Sequence, residues 1–226
     1  MVGFYYVSYG LVIIGALISI IASWNVKRTY KKYSSYGNSR GIRAEQVAQT
    51  ILGSAGIYDV RIERVSGNLT DHYSPREKVL RLSDSVYGST SVAAIGVAAH
   101  ECGHAIQHAK GYFPLSLRSA VIPMVNIGST LSWPMIFLGL IFGWTGLIDI
   151  GIILFSSVVF FQFITLPVEF NASGRALSIL QERNILYGQE IEASRKVLIA
   201  AALTYVAALV SSILQLLRLV LLRRRR

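Results

Sequence analysis

The stretch Ser91-Val92-Ala93-Ala94-Ile95-Gly96-Val97-Ala98-Ala99-His100-Glu101-Cys102-Gly103-His104-Ala105-Ile106-Gln107-His108-Ala109-Lys110-Gly111 governs how the rest of this chain is read. Ser89, Thr90 or Ser91 can cap a helix that runs to Lys110 and stops at Gly111, the usual residue just past a helix end. Its first half is small and apolar, suited to burial beneath a site. Its second half carries His100-Glu101-Cys102-Gly103-His104, an HExxH pattern. Residues four apart share a helix face, so both imidazoles can reach one ion. Glu101 lies about 100° around the helix from His100, which sets its carboxylate beside the metal rather than on it. Metal-assisted hydrolysis needs this arrangement. Zinc lowers the pKa of its water to about 7, and a glutamate takes the proton as that water attacks a carbonyl. HExxH also arises by chance, and paired helical histidines can be structural. Here three of the four histidines stand at 100, 104 and 108, which favours the chemical reading. Cys102, the single cysteine, points about 200° away from His100 and reads as an inert core thiol. Standing alone, it excludes an intrachain disulfide framework.

A catalytic zinc takes three protein ligands. His108 is one candidate, but it lies about 6 Å of helix rise beyond His104, which suits it better to a place behind the ligands or in solvent. The better candidate is Glu169, in Leu166-Pro167-Val168-Glu169-Phe170-Asn171-Ala172-Ser173-Gly174-Arg175. A carboxylate at the end of an apolar run is costly unless it is paired or bound to metal. Pro167 is read as opening a new helix that projects Glu169 toward the HExxH helix. Arg175, about two turns further on, could stabilise a developing oxyanion and could equally be structural or lipid-facing.

Composition places this site in a membrane protein. Hydrophobic residues make up 53% and charged residues 15%, against roughly 25% charged in soluble chains. Apolar runs at 4–24, 119–142, 147–167 and 197–222 are each near the ~20 residues a bilayer core requires. The second and third should form a helical hairpin, whereas Gln215 and Arg218 interrupt the fourth. The formal charge of +10 does not indicate nucleic acid, because the cations gather beside apolar runs and nothing in the chain resembles a nucleic-acid module. Lys27, Arg28, Lys31, Lys32, Arg40 and Arg43 follow the first run, which puts that side in the cytoplasm. The tail at 223–226 opposes this bias if the fourth run crosses.

The polar stretch between the first two runs reads as a small α+β module. A helix is expected from Arg43 to Leu52 and a strand around Val60 and Ile62. A hairpin should join Leu69–Tyr73 to Lys78–Leu82 across Ser74-Pro75-Arg76-Glu77. The expected organisation is an anchor (1–24), an α+β module with the HExxH helix (25–118), a membrane hairpin (119–167), a helix with the third ligand (168–196) and a membrane helix with basic tail (197–226).

His100-Glu101-x-Gly103-His104-x-x-Gln107-His108, with Glu169-Phe170-Asn171-Ala172-Ser173 downstream, resembles the YugP-like family of bacterial membrane zinc metallopeptidases and the wider HtpX-type peptidases. The resemblance covers most of the chain in order. It implies an α+β zincin-like core combined with a mostly helical bundle of three to four transmembrane helices. It further implies Zn2+ on His100, His104 and Glu169, Glu101 as catalytic base, and membrane protein or peptide substrates in a multi-pass protein of the bacterial plasma membrane. The HtpX-type pattern has an aspartate where this chain has Ser173, an uncharged partner for orienting a histidine. Leu69-Thr70-Asp71-His72-Tyr73 is similar to the edge strand over the cleft in such peptidases, which makes His72 a substrate-side candidate; an ordinary hairpin edge fits equally. The alternative from another class is a non-proteolytic, zinc-stabilised subunit of a membrane protein complex, closed by a fourth ligand such as His108.

Overall fold

The computed structural model describes residues 2–224, with side chains from residue 8 onward. Six helices and three strands follow one another: α1 (Val2–Tyr33), α2 (Ala44–Ser54), β1 (Arg61–Val65), β2 (His72–Ser74), β3 (Val79–Ser83), α3 (Val92–Ala109), α4 (Phe113–Phe142), α5 (Thr145–Glu182) and α6 (Gln189–Arg223). The chain is mostly helical with one small sheet. It divides into two compact units, one built from 1–23, 116–167 and 203–226, the other from 24–115 and 168–202.

The first unit contains segments of α1, α4, α5 and α6, the four helices long and apolar enough to cross a membrane. Large apolar side chains such as Ile13, Leu17, Phe137, Ile141, Ile153 and Phe163 are exposed on it, as a lipid-facing surface demands. The turn between α4 and α5 is tight because Gly139 has no side chain: a Cβ there would meet Ile148 N and Trp144 O at 2.9 Å. Ser211 of α6 donates to Gly15 O at 2.6 Å and lies 2.8 Å from Ser19 Oγ, while Arg218 sits over the Tyr9 ring. These pairings run α6 antiparallel to α1. At the end of α6, Arg223 meets Asp149 of α5 through two hydrogen bonds of 2.8 and 3.0 Å. The apolar stretch around Gln215 and Arg218 is part of the continuous helix α6. Positions 225 and 226 of the basic tail lie outside the described residues.

In the second unit the sheet order is β1-β3-β2, with β1 parallel and β2 antiparallel to β3. The central strand β3 is buried through Val79, Leu80 and Leu82. Val47 and Ile51 of α2 and Ile95 of α3 join the same core, together with Leu180 and Leu186. The expected hairpin is present, but its first strand is only His72–Ser74, and the turn falls at residues 75–78. Ser91 is the cap of α3, its Oγ accepting the Ala94 N–H at 3.1 Å. Gly111 follows the helix with φ +60°, as a helix-stop glycine should.

One expectation fails. Pro167 does not open a new helix; it lies inside the continuous α5. Proline removes a single N–H donor, and in apolar helices the neighbouring groups tolerate that loss without ending the helix. Glu169 is thus presented by an unbroken helix.

Candidate metal centre

All residues of this site belong to the second unit. Residues 100 and 104 project from one side of α3, and Glu169 of α5 faces them. His100 Nε2 lies 3.3 Å and His104 Nε2 3.6 Å from Glu169 Oε2. The ligand atoms of the three residues all fall within 4.8 Å of one another. Bonds of 2.0–2.2 Å in a tetrahedral zinc site would put ligand atoms roughly 3.3–3.5 Å apart, so the carboxylate-to-imidazole spacings match that ion.

The approach of the two helices depends on Gly103. A Cβ at this position would stand 2.6 Å from Ala172 O and 3.1 Å from Ala172 Cα, inside the backbone of α5. The glycine within the HExxH pattern is therefore what lets α5 come close enough for Glu169 to reach both imidazoles.

Hydrogen bonds behind the site set the polarity of His104. Arg175 Nε can only donate, and it donates to Asn171 Oδ1 at 2.7 Å. That oxygen also accepts from Gln107 Nε2 at 3.0 Å, and the same amide nitrogen donates to Val168 O at 2.8 Å. With its nitrogen thus committed, Gln107 turns Oε1 toward His104 Nδ1, 3.0 Å away, which must carry the proton. A neutral His104 consequently aims the lone pair of Nε2 at the Glu169 carboxylate. Two electron-rich atoms facing each other repel unless a proton or a metal ion lies between them. Burial alone disfavours charge on His104, yet the Glu169 and Glu101 carboxylates outweigh it and raise the His104 pKa above its ordinary value. The site attracts a cation, and its donor set of two imidazoles and one carboxylate fits zinc. His100 Nδ1 is engaged as well, 3.0 Å from Ser173 Oγ. The serine at the place of the aspartate thus lies beside one of the two clustered histidines.

Glu101 is 8% exposed and stands outside the three-residue cluster. His108 is not in the cluster either; its Nδ1 lies 2.9 Å from the Tyr73 hydroxyl. His72 is exposed on β2, with Nδ1 2.9 Å from Thr70 O. Arg175 extends over the Tyr112 ring besides holding Asn171. Cys102 is fully buried with Sγ 3.6 Å from Ala48 O, and burial pushes its thiol pKa well up, which keeps it inert. Gln107 and Asn171 belong to the motif that carries the resemblance, but the sequence assigned them no role. The available signal was their spacing, three residues after His104 and two after Glu169, but only the packed helices show that they meet.

The described residues combine four helices long and apolar enough to cross a membrane with a His-His-Glu group that could hold a metal ion. The chain matches the family described as "Putative neutral zinc metallopeptidase" over residues 8–224, and it belongs to that family. It is 48% identical over 206 residues to the "Putative membrane protease YugP" of Bacillus subtilis (strain 168), which covers 91% of each chain. No solved structure matches it. The relative and the four apolar helices together make this a membrane protein.

Proposed function

We propose that this protein is a membrane-embedded zinc metalloendopeptidase. It cuts peptide bonds of membrane proteins or of their membrane-proximal segments. The observation that carries the reading is the convergence of His100, His104 and Glu169 at zinc-like spacing. A three-ligand set is the stoichiometry of a catalytic zinc, because the fourth position is left for water or substrate. His100, His104 and Glu169 hold the ion. Zinc bound there would supply a water acidified to a pKa near 7 and a Lewis acid for the scissile carbonyl.

The chain's own residues do the rest. Glu101, one position along α3 from a ligand, receives the proton of the attacking water and returns it to the leaving amine. Gln107, held by Asn171 and Arg175, keeps His104 in the tautomer that offers Nε2 to the ion. Ser173 Oγ, a hydroxyl able to donate or accept, holds the ring of His100 by its Nδ1 without selecting a tautomer. The α2–α3 pair and its sheet form a zincin-like core, and the cations after the first membrane segment favour a cytoplasmic site.

The test is Glu101→Gln in the purified full-length protein. Peptide cleavage should fall by about 10²–10⁴-fold while zinc content, measured by elemental analysis, stays at the wild-type level. Undiminished cleavage would remove Glu101 from the mechanism; absence of zinc from metal-reloaded wild type would remove the metal.

A further inference from the structure

The sheet of the second unit ends on β1, which pairs with β3 on one side only. In this parallel pair the Arg61 N–H donates to Lys78 O at 3.0 Å. Backbone groups alternate sides along a strand, so residues 61, 63 and 65 serve the ladder while Val60, Ile62 and Arg64 turn their N–H and C=O groups outward. Among the described residues, no hydrogen bond outside the ladder reaches the backbone of these three. An edge left in this state is a template for one more strand.

The side chains narrow which strand fits. Arg61 and Glu63 share the face of the sheet turned away from the core, with Nη1 3.4 Å from Oε1 and side chains 70% and 38% exposed. Ile62, between them, turns to the other face and packs against the core. Consider a second copy of β1 running antiparallel, with the two Ile62 residues opposite each other. Each Arg61 then stands opposite the other copy's Glu63. Centring the pair on Arg61, Glu63 or Arg64 instead sets like charges face to face, which is destabilising. With Ile62 at the axis the outward backbone groups also match. Ile62 exchanges two hydrogen bonds with its counterpart, and Val60 and Arg64 exchange their own on either side.

The flank of the edge has room for this neighbour. A cavity of about 570 Å³ lies along the start of β1, lined by Leu52 of α2, Ile57, Val60 and Ile62. Tyr58, also on its wall, is 84% exposed, a large ring that one copy alone leaves uncovered. Pairing about Ile62 brings the two cavities together, so that each copy's apolar and aromatic groups cover the other's.

We propose that β1 is a dimer edge, through which two copies of this chain pair antiparallel about Ile62 and join their three-stranded sheets into one. Such an interface uses the same patch on both copies, the usual form of a two-fold dimer. It involves none of the three clustered ligands and does not depend on peptidase activity.

Disulfide trapping of the full-length chain in its membrane tests the register. One copy would carry Arg61→Cys and a second, with a tag of different size, Glu63→Cys; the two would be coexpressed and oxidised with copper phenanthroline. Positions 61 and 63 of opposite copies should have Cα atoms about 4.5 Å apart, inside the roughly 4.4–6.8 Å that a disulfide spans. Like positions lie on the diagonal, roughly 7–8 Å apart. The mixed disulfide should therefore exceed either same-position disulfide by about tenfold. Cys102 is buried and takes no part. Arg64→Pro, which removes an outward N–H and no ladder bond, should lower the mixed product by about tenfold with circular dichroism unchanged. Equal yields of the three disulfides, or no mixed one, would overturn the proposal, as would a mixed product that Arg64→Pro leaves intact. Capture of a different protein by the Glu63→Cys copy, in place of the mixed product, would also overturn it and give the edge to another partner.

Discussion

Of the three carboxylates of helix α5, Asp149 near its start and Glu169 in its second half are treated oppositely by the protein, while Glu182 ends the helix. Asp149 remains partly exposed and meets Arg223 in a two-point ion pair, a permanent cation answering a permanent anion. Glu169 is 1% exposed and faces two imidazoles, one of them held in the tautomer that offers a lone pair. The first pair is electrically complete. The second belongs to a group of three side chains that could hold a metal ion. The difference separates a carboxylate that fastens helices from one set among possible metal-holding groups, and helical position alone does not reveal it.

The largest effect should come from breaking the second arrangement. Glu169→Ala should reduce zinc from about one per chain to a small fraction of that, with the helical circular dichroism retained. Full zinc in this variant would mean that the carboxylate is no ligand. Next comes Gly103→Ala, whose methyl would strike the backbone of Ala172. Overpacking of this kind costs roughly 1–3 kcal/mol, so both thermal stability and zinc affinity should fall. A variant as stable and as tight for zinc as wild type would show that α5 need not approach so closely.

A smaller effect sharpens the role of the hydrogen bonds behind the site. Gln107→Leu should weaken zinc binding by about 10–100-fold, the usual cost of losing a partner behind a ligand. Asn171→Leu should weaken it less. Asn171→Asp should restore most of the affinity, because a carboxylate still accepts from both Gln107 and Arg175. Equal losses in the two Asn171 variants would point to packing rather than polarity. The smallest effect belongs to Asp149→Asn: about 0.2–1 kcal/mol of stability, as for other exposed ion pairs, with zinc unchanged. A zinc loss in that variant would break the contrast between the two carboxylates.

Much of this was legible from residue order. The α3 helix, its serine cap and its stop glycine follow from local backbone chemistry, which depends on neighbours in sequence. The four apolar helices follow from the length of a bilayer core. That residues 100 and 104 share a face follows from 3.6 residues per turn. Proline at 167 misled because its local effect, the loss of one donor, is outweighed in a long apolar helix, where the remaining hydrogen bonds have no water to turn to.

What only the tertiary structure decided is every relation between residues distant along the chain. Glu169 could be suspected from its cost in an apolar setting, but its 3.3 and 3.6 Å approaches arise from two helices packed across a glycine. The polarity that Arg175 passes through Asn171 and Gln107 to His104 spans α5 and α3. Local sequence sets which groups can donate and accept; packing sets which of them meet.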